Sequence, residues 1–368
     1  MPSPSVRPAE AANPEASVWA LLGRKAGDNG QVLALADSLG VPYAECHLRY
    51  RPTELLSNLL LGPNLHGVRE SRRRQFRPPW PRLVITAGRR NEPVARWIRQ
   101  QAAHPVRLVH IGRPWARPSH YDLIVTTPQY NLAGRDNVVV LELPLERAAA
   151  TVDTSIWSER LASLPAPRIA VLVGGESGMF QLDADKARQL ARAANDLAAG
   201  LGGSLLVTTS PRTPAGIAAV IEKTIGVPAT VYEWRPGATD NPYGAFLALA
   251  DRLVVTGESI SMLAEACATR RPVYIFDMHD RQRAGMSGRL QALGNALRYR
   301  ALTHHLAQRL APSRMRRDVS RMHEALIRSG RAVWLGEAFP DVLPPPLPDT
   351  GHVTARVRAL LEDAGPGG

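Results

Sequence analysis

Cysteine is nearly missing from this sequence: only Cys46 and Cys267 occur, and neither belongs to a CxxC pair. That excludes a disulfide scaffold, and both thiols are expected to be buried and free in a reducing cytoplasm. No apolar run approaches the roughly 20 residues that cross a bilayer. Residues 1–17 are rich in proline, alanine and glutamate. They lack the basic start and apolar stretch of a secretory leader and read as a disordered lead-in. The expected location is the cytoplasm, at most peripheral at the inner membrane. No repeat of solenoid length appears.

Several catalytic signatures are missing as well. The Walker phosphate loop, the dinucleotide GxGxxG and the GxSxG nucleophile elbow are all absent. The ten histidines are scattered. His304 and His305 are adjacent, but no carboxylate or cysteine lies at ligand spacing, so no metal site is expected.

What is present is enough chain for two cores: 368 residues, 45% hydrophobic and 21% charged. Lys and Arg total 45 against 33 Asp and Glu, a formal charge of +12. Such an excess attracts anions, whether phosphates, nucleic acid or an acidic membrane, and it also keeps a protein soluble. Nucleic acid is not expected, because no aromatic platform accompanies the arginines of residues 69–77. That basic run follows an apolar stretch at residues 55–61. The pair reads either as a core helix with a solvated loop or as a contact for an anionic membrane surface.

Residues 18–22 form an apolar run of strand length, followed by a glycine-rich loop at 23–30. Helical spacing begins at residue 31, with Val32, Leu35, Ala36 and Leu39 on one side. Strands are expected at 83–87, 107–111, 122–126 and 138–143, with a helix at 92–101. Residues 151–168 read as a linker. A second series then places strands at 169–173, 204–209, 230–234, 253–256 and 273–276. Helices at 183–199, 215–225, 242–250 and 260–269 alternate with them. The chain is then Arg-rich and helical to about residue 329. A Pro-rich stretch at 340–348 leads to a last helix at 353–361, expected to pack back on the first half.

Alternating strands and helices imply parallel sheets covered on both faces. The predicted architecture is α/β: two doubly wound Rossmann-like domains facing a cleft. Residues 18–160 form the first and 161–340 the second, with 341–368 returning to the first. Functional residues are expected in the loops after the strands' carboxyl ends.

Five such loops stand out. Lys25, Gly27, Asp28, Asn29 and Gln31 surround the first strand-to-helix turn, where glycines allow close backbone approach and a helix start attracts anions. The same residues would equally serve a tight turn capped by Asp28 or Asn29. Arg89 and Arg90 close the strand at 83–87, as phosphate or partner ligands or as a solvated loop. Gly174, Gly175, Ser177 and Gly178 open the second series, where a dense βα turn can hold phosphate. Ser210, Arg212 and Thr213 follow, Arg212 suiting a bidentate anion and the hydroxyls suiting either ligand or cap. Ser259 and Ser261 begin a helix on which Glu265 could take sugar or ribose hydroxyls, the alternative being a capped helix with a solvated Glu.

Taken in order, these motifs resemble the mitochondrial-fission Elm family. They comprise Trp19 with Gly27, Asp28, Asn29, Gly30 and Gln31, then residues 84–90, 126–131 and 142–144. They continue through Val173, Gly174 and Gly175, residues 209–214, Asn241, Pro242 and Tyr243, and residues 256–262. The composition looks bacterial. The resemblance implies a glycosyltransferase-B-like fold, similar in plan to enzymes that move sugars onto lipid-linked acceptors. An epimerase label sometimes given to bacterial relatives does not fit, since Tyr130 and Tyr243 have no Lys four residues on.

Two readings follow. The first is metal-independent sugar transfer from a nucleotide-diphosphate sugar, which is substrate rather than cofactor. The 174–178 loop, Arg212, Ser259 and Ser261 would hold its phosphates. Asp28 would be the base, with His110 second to it unless His110 is simply structural. The alternative is a non-catalytic adaptor that binds a partner protein or membrane surface.

Overall fold

The computed structural model describes residues 16–51, 62–132, 134–146, 153–176, 180–278, 318–346 and 350–363. In chain order the first elements are β1 (Val18–Leu22), α1 (Ala26–Ser38), β2 (Tyr43–His47), α2 (Glu70–Arg73), β3 (Leu83–Ala87), α3 (Glu92–Gln101), β4 (Arg107–Ile111), β5 (Leu123–Thr126) and β6 (Val138–Val140). Then come α4 (Ser155–Arg160), β7 (Arg168–Leu172), α5 (Ala184–Gly200), β8 (Ser204–Thr208), α6 (Ile217–Thr224), β9 (Ala229–Tyr232), α7 (Tyr243–Leu249), β10 (Arg252–Thr256) and α8 (Ile260–Ala268). The series ends with β11 (Val273–Phe276), α9 (Ser320–Arg328), β12 (Ala332–Trp334) and α10 (Gly351–Asp363).

These elements form two doubly wound Rossmann-like units, residues 1–148 with 348–368, and residues 149–347. The first has a parallel sheet of order β2-β1-β3-β4-β5-β6. The second is parallel too, in the order β12-β11-β10-β7-β8-β9. The central strands read as nearly continuous apolar runs because both their faces are covered. Alternate residues of β1 show it. Val18, Ala20 and Leu22 join a cluster with Leu35, Ile85, Val109 and Val125. Trp19 and Leu21 join Val84, Leu108 and Ile124 on the other face. There Trp19 meets Phe76 and Trp80 at ring distances of 6.2 and 5.9 Å.

Helix α10 belongs to the first unit. Val353 and Val357 are fully buried in the cluster of α1 and β1, each such burial contributing roughly 1.5–3 kcal/mol. Arg358 donates to the carbonyls of Leu39 (3.2 Å) and Ser38 (2.9 Å), which close α1. Both cysteines are buried, and neither is in a disulfide. Burial pushes the Cys46 thiol up to about 12, which leaves it unreactive.

Four features depart from the sequence reading. Helix α1 starts at Ala26, not residue 31, because the Asn29 side chain closes the turn. Its Oδ1 accepts from Gly23 N at 2.8 Å and its Nδ2 donates to Gly23 O at 3.1 Å. Strands β2 and β12 were not expected. At β2 only Ala44 and Cys46 are buried, an alternation typical of an edge strand, and β12 has three residues. The supposed linker contains α4, whose Trp157 ring packs 5.4 Å from Phe246 and 6.4 Å from Tyr232. The chain divides between Ala148 and Ala149 rather than at residue 160. The apolar stretch at 55–61, His304 and His305 lie outside the described residues.

Candidate functional site

In an open parallel sheet, ligands gather where the strand order reverses. In the second unit that point lies between β7 and β10. Backbone at the end of β7 is tied to β10 and its following loop. Gly174 N donates to Thr256 Oγ1 at 2.8 Å, and Gly175 N to Glu258 Oε1 at 2.7 Å. The loop after β8 joins them. Ser210 Oγ donates to Gly174 O at 2.7 Å, Thr213 Oγ1 donates to the same carbonyl, and Glu176 N donates to Arg212 O at 3.2 Å. The glycines are required by this closeness. A Cβ on Gly175 would lie 2.1 Å from Arg212 O, and one on Gly174 would lie 1.9 Å from Glu258 Oε1.

The sequence reading gave Gly174, Gly175, Ser210 and Thr213 to the phosphate. In the structure the two glycine N–H groups and the two hydroxyls bond within the three loops, so these residues shape the site from inside. Ser177 and Gly178 lie outside the described residues. The groups presented outward are others. Arg212 is exposed, and its Nη2 donates to Ser259 Oγ at 3.3 Å. Ser259 is buried at the N-cap of α8 but makes no side-chain cap, and the first turn of α8 has no acid. An uncapped helix start of this kind carries a positive end. Ser261 is exposed, and Glu265 lies one turn further along the same face. Tyr243 OH donates to Glu265 Oε2, and burial raises the Glu265 pKa.

Two residues here escaped the sequence reading. Glu258 is 2% exposed, and its pKa is raised by burial, against the pull of the Gly175 N–H and the Arg212 charge. It stood inside the motif at 256–262, where an acid directly after a buried strand and a glycine was the available signal. His323 of α9 is also buried, with Nε2 2.6 Å from Gly257 O and its ring 5.2 Å from Trp334. Nothing near residue 323 in the sequence marks that contact.

In the first unit the reversal lies between β1 and β3. Asn91 bridges the two strand ends, donating from Nδ2 to Leu21 O at 3.1 Å and accepting from Tyr50 OH. Asp28 stands on the first turn of α1, one-third exposed, with Lys25 Nζ 4.0 Å from its Oδ2. Asp28 and Gln31 line an open pocket with Ala87, Ile111, Thr126 and Tyr130 at the strand ends. Gln31 Nε2 donates to Gly27 O at 3.4 Å, and Asn29 serves the Gly23 turn described above. Lys25 and Gly27 are exposed, and the Arg89 guanidinium stacks 4.5 Å from the centre of the Trp115 ring. Arg90 is half-buried beside it.

Beneath this edge Glu92 is 3% exposed and accepts from Trp115 N (2.7 Å), Ala116 N (2.9 Å) and Tyr121 OH (3.0 Å). It lies 3.9 Å from His110 Nε2. Burial raises Glu92 and lowers His110 to about 4, so the pair favours its neutral forms. His110 is fully buried, which makes it structural rather than a base open to substrate. Among the described residues no group of three or more His, Cys, Asp or Glu could hold a metal ion. Nor is any described helix long and apolar enough to cross a membrane.

A family profile described as mitochondrial fission ELM1 matches residues 26–318. The chain belongs to this family. An Arabidopsis thaliana member, the mitochondrial fission protein ELM1, is 30% identical over 241 residues, 59% of this chain. The match covers 56% of the Arabidopsis protein, so this ELM1-family chain spans little more than half of that relative. An uncharacterised protein of Rickettsia prowazekii is 23% identical over 298 residues, covering 71% of this chain and 83% of that protein. Among solved structures, MurG of Acinetobacter baumannii is similar at a TM-score of 0.43 and 11% identity, covering 94% and 99% of the two chains. The UDP-GlcNAc 2-epimerase of Methanocaldococcus jannaschii is similar at 0.48 and 10%, covering 93% and 99%.

Proposed function

We propose that this ELM1-family protein binds a nucleoside-diphosphate sugar through its second unit and transfers the sugar without a metal. The observation that carries the reading is the pairing of exposed Arg212 with Ser259 at the uncapped start of α8. A diphosphate there meets a fixed cation and free helix N–H groups. Glu265, oriented by Tyr243, takes ribose hydroxyls.

In the transfer step an acceptor hydroxyl attacks the anomeric carbon. The bond from that carbon to the phosphate oxygen breaks, and the electron pair leaves on the diphosphate. Arg212 and the α8 dipole stabilise that charge as it develops. The acceptor proton needs a base, and the candidate for it is the Asp28 carboxylate.

The family description favours a second reading, an adaptor for a partner or an anionic membrane surface. Arg69, Arg74 and Arg77 are exposed and would face it. Calorimetry with UDP, ADP, GDP and pyrophosphate separates the two. Replacing Arg212 by Ala should weaken diphosphate binding by about 1.5–3 kcal/mol. Replacing Asp28 by Asn should spare binding and abolish transfer. Unchanged affinity in the Arg212 variant removes the donor site and leaves the adaptor.

A further inference from the structure

The acid nearest the start of α8 is Glu258, directly before the N-cap Ser259. Its Oε1 accepts from Gly175 N at 2.7 Å and from the Thr256 hydroxyl at 3.2 Å. Thr256 Oγ1 in turn accepts the Gly174 N–H, which fixes its own proton toward Glu258. Oε2 is buried with no hydrogen-bond partner in any other described residue, the carboxyl's own backbone N–H being the one further donor beside it, and no cation among the described residues lies within ion-pair distance. The charged group that faces it is Arg212, from the loop after β8, and that guanidinium is held to Ser259. From α9, His323 reaches the neighbouring Gly257 carbonyl.

A buried carboxylate so sparsely bonded is costly, and the neutral acid is the cheaper state. As a neutral acid Glu258 keeps Oε1 as the acceptor that holds Gly175. Ionised, it would put its own negative charge at the positive end of α8, where a ligand anion has to sit. The two anions would compete for one helix terminus.

We propose that Glu258 is a positioning residue of the anion site: as a neutral acid it clamps the turn at Gly175, and its ionisation opposes anion binding, so that affinity is linked to protons. This rests on the reading of the second unit as an anion-binding half. By reciprocity, anion binding favours the protonated carboxyl. Burial raises the carboxyl, so affinity is full at acid pH and falls as pH rises through its titration.

The test is titration of inorganic pyrophosphate into the full chain and into Glu258→Gln, from about pH 5 to about pH 9. Pyrophosphate's own ionisation cancels in the ratio of the two affinities. The amide keeps an acceptor for Gly175 and cannot ionise, so it should bind within about twofold of wild type at the acid end. At the alkaline end wild type should fall tenfold or more below it. A flat ratio, or one that moves toward wild type as pH rises, overturns the proposal. So does a variant tenfold weaker at every pH, since that would mean a charged carboxylate is required. Infrared difference spectra of ligand-free wild type minus variant give a second readout. A protonated-carboxyl band is expected at about pH 5, above the range where an ordinary carboxyl is protonated, and its absence also overturns the proposal. If neither protein binds pyrophosphate the proton link is lost, and the band then tells which premise failed. With the band present the anion-binding reading is wrong; with it absent the neutral acid is wrong.

Discussion

In the first unit a carboxylate occupies the helix that follows the opening strand: Asp28, on the first turn of α1 and one-third exposed. In the second unit the first turn of α8 has no acid, and the neighbouring Glu258 is buried. The two sheets also reverse at different places, between β1 and β3 in one and between β7 and β10 in the other. The two helix starts therefore differ in charge. A helix start bearing its own carboxylate is already neutralised and repels a phosphate. A start that is uncapped and flanked by Arg212 attracts one. On the proposed reading the first unit would supply a proton acceptor and the second would hold the anion.

Acid stability should respond most strongly, through a buried histidine of the first unit. In the first unit the His110 ring is fully buried, where the backbone of Gly112 only partly offsets the loss of water. Its pKa is lowered to about 4, so on acidification the unfolded chain takes the proton first. Stability is therefore lost as pH falls from about 6.5 to about 4, by roughly 3 kcal/mol. Urea unfolding of His110→Leu should lack that loss. An equal acid loss in the variant would place the acid sensitivity elsewhere. Glu92, whose pKa is raised, contributes in the opposite sense, so only the difference between the two proteins isolates His110.

Next in size is a pair of glycines, one in the loop after β7 and one inside α1. Gly175→Ala sets a Cβ 2.1 Å from backbone that cannot move cheaply. It should cost about 1–3 kcal/mol and lower the melting temperature. Gly30 lies inside α1 with nothing within 4 Å of an added Cβ. Gly30→Ala should stabilise by up to about 1 kcal/mol through helix propensity. If both substitutions destabilise alike, the contrast between close packing at Gly175 and open space at Gly30 is wrong.

Much of this was legible in the sequence. The central strands, buried on both faces, stood out as apolar runs, and their alternation with helices gave the doubly wound class. Strands β2 and β12 were hidden because edge strands bury only some of their residues. The loops that gather at the β7–β10 reversal were legible as glycine and hydroxyl motifs. Their inner bonding was not. Whether Ser210 meets a ligand or the Gly174 carbonyl depends on contacts 36 residues apart, which spacing does not encode. The same holds for Glu258, 83 residues from Gly175.

Hydrogen–deuterium exchange with and without pyrophosphate tests the contrast between the helix starts most directly. Slowed exchange is expected at the first-turn amides of α8, residues 260–262, with no change at residues 26–29 of α1. Slowed exchange at 26–29, or none at 260–262 once pyrophosphate is bound, would contradict that contrast.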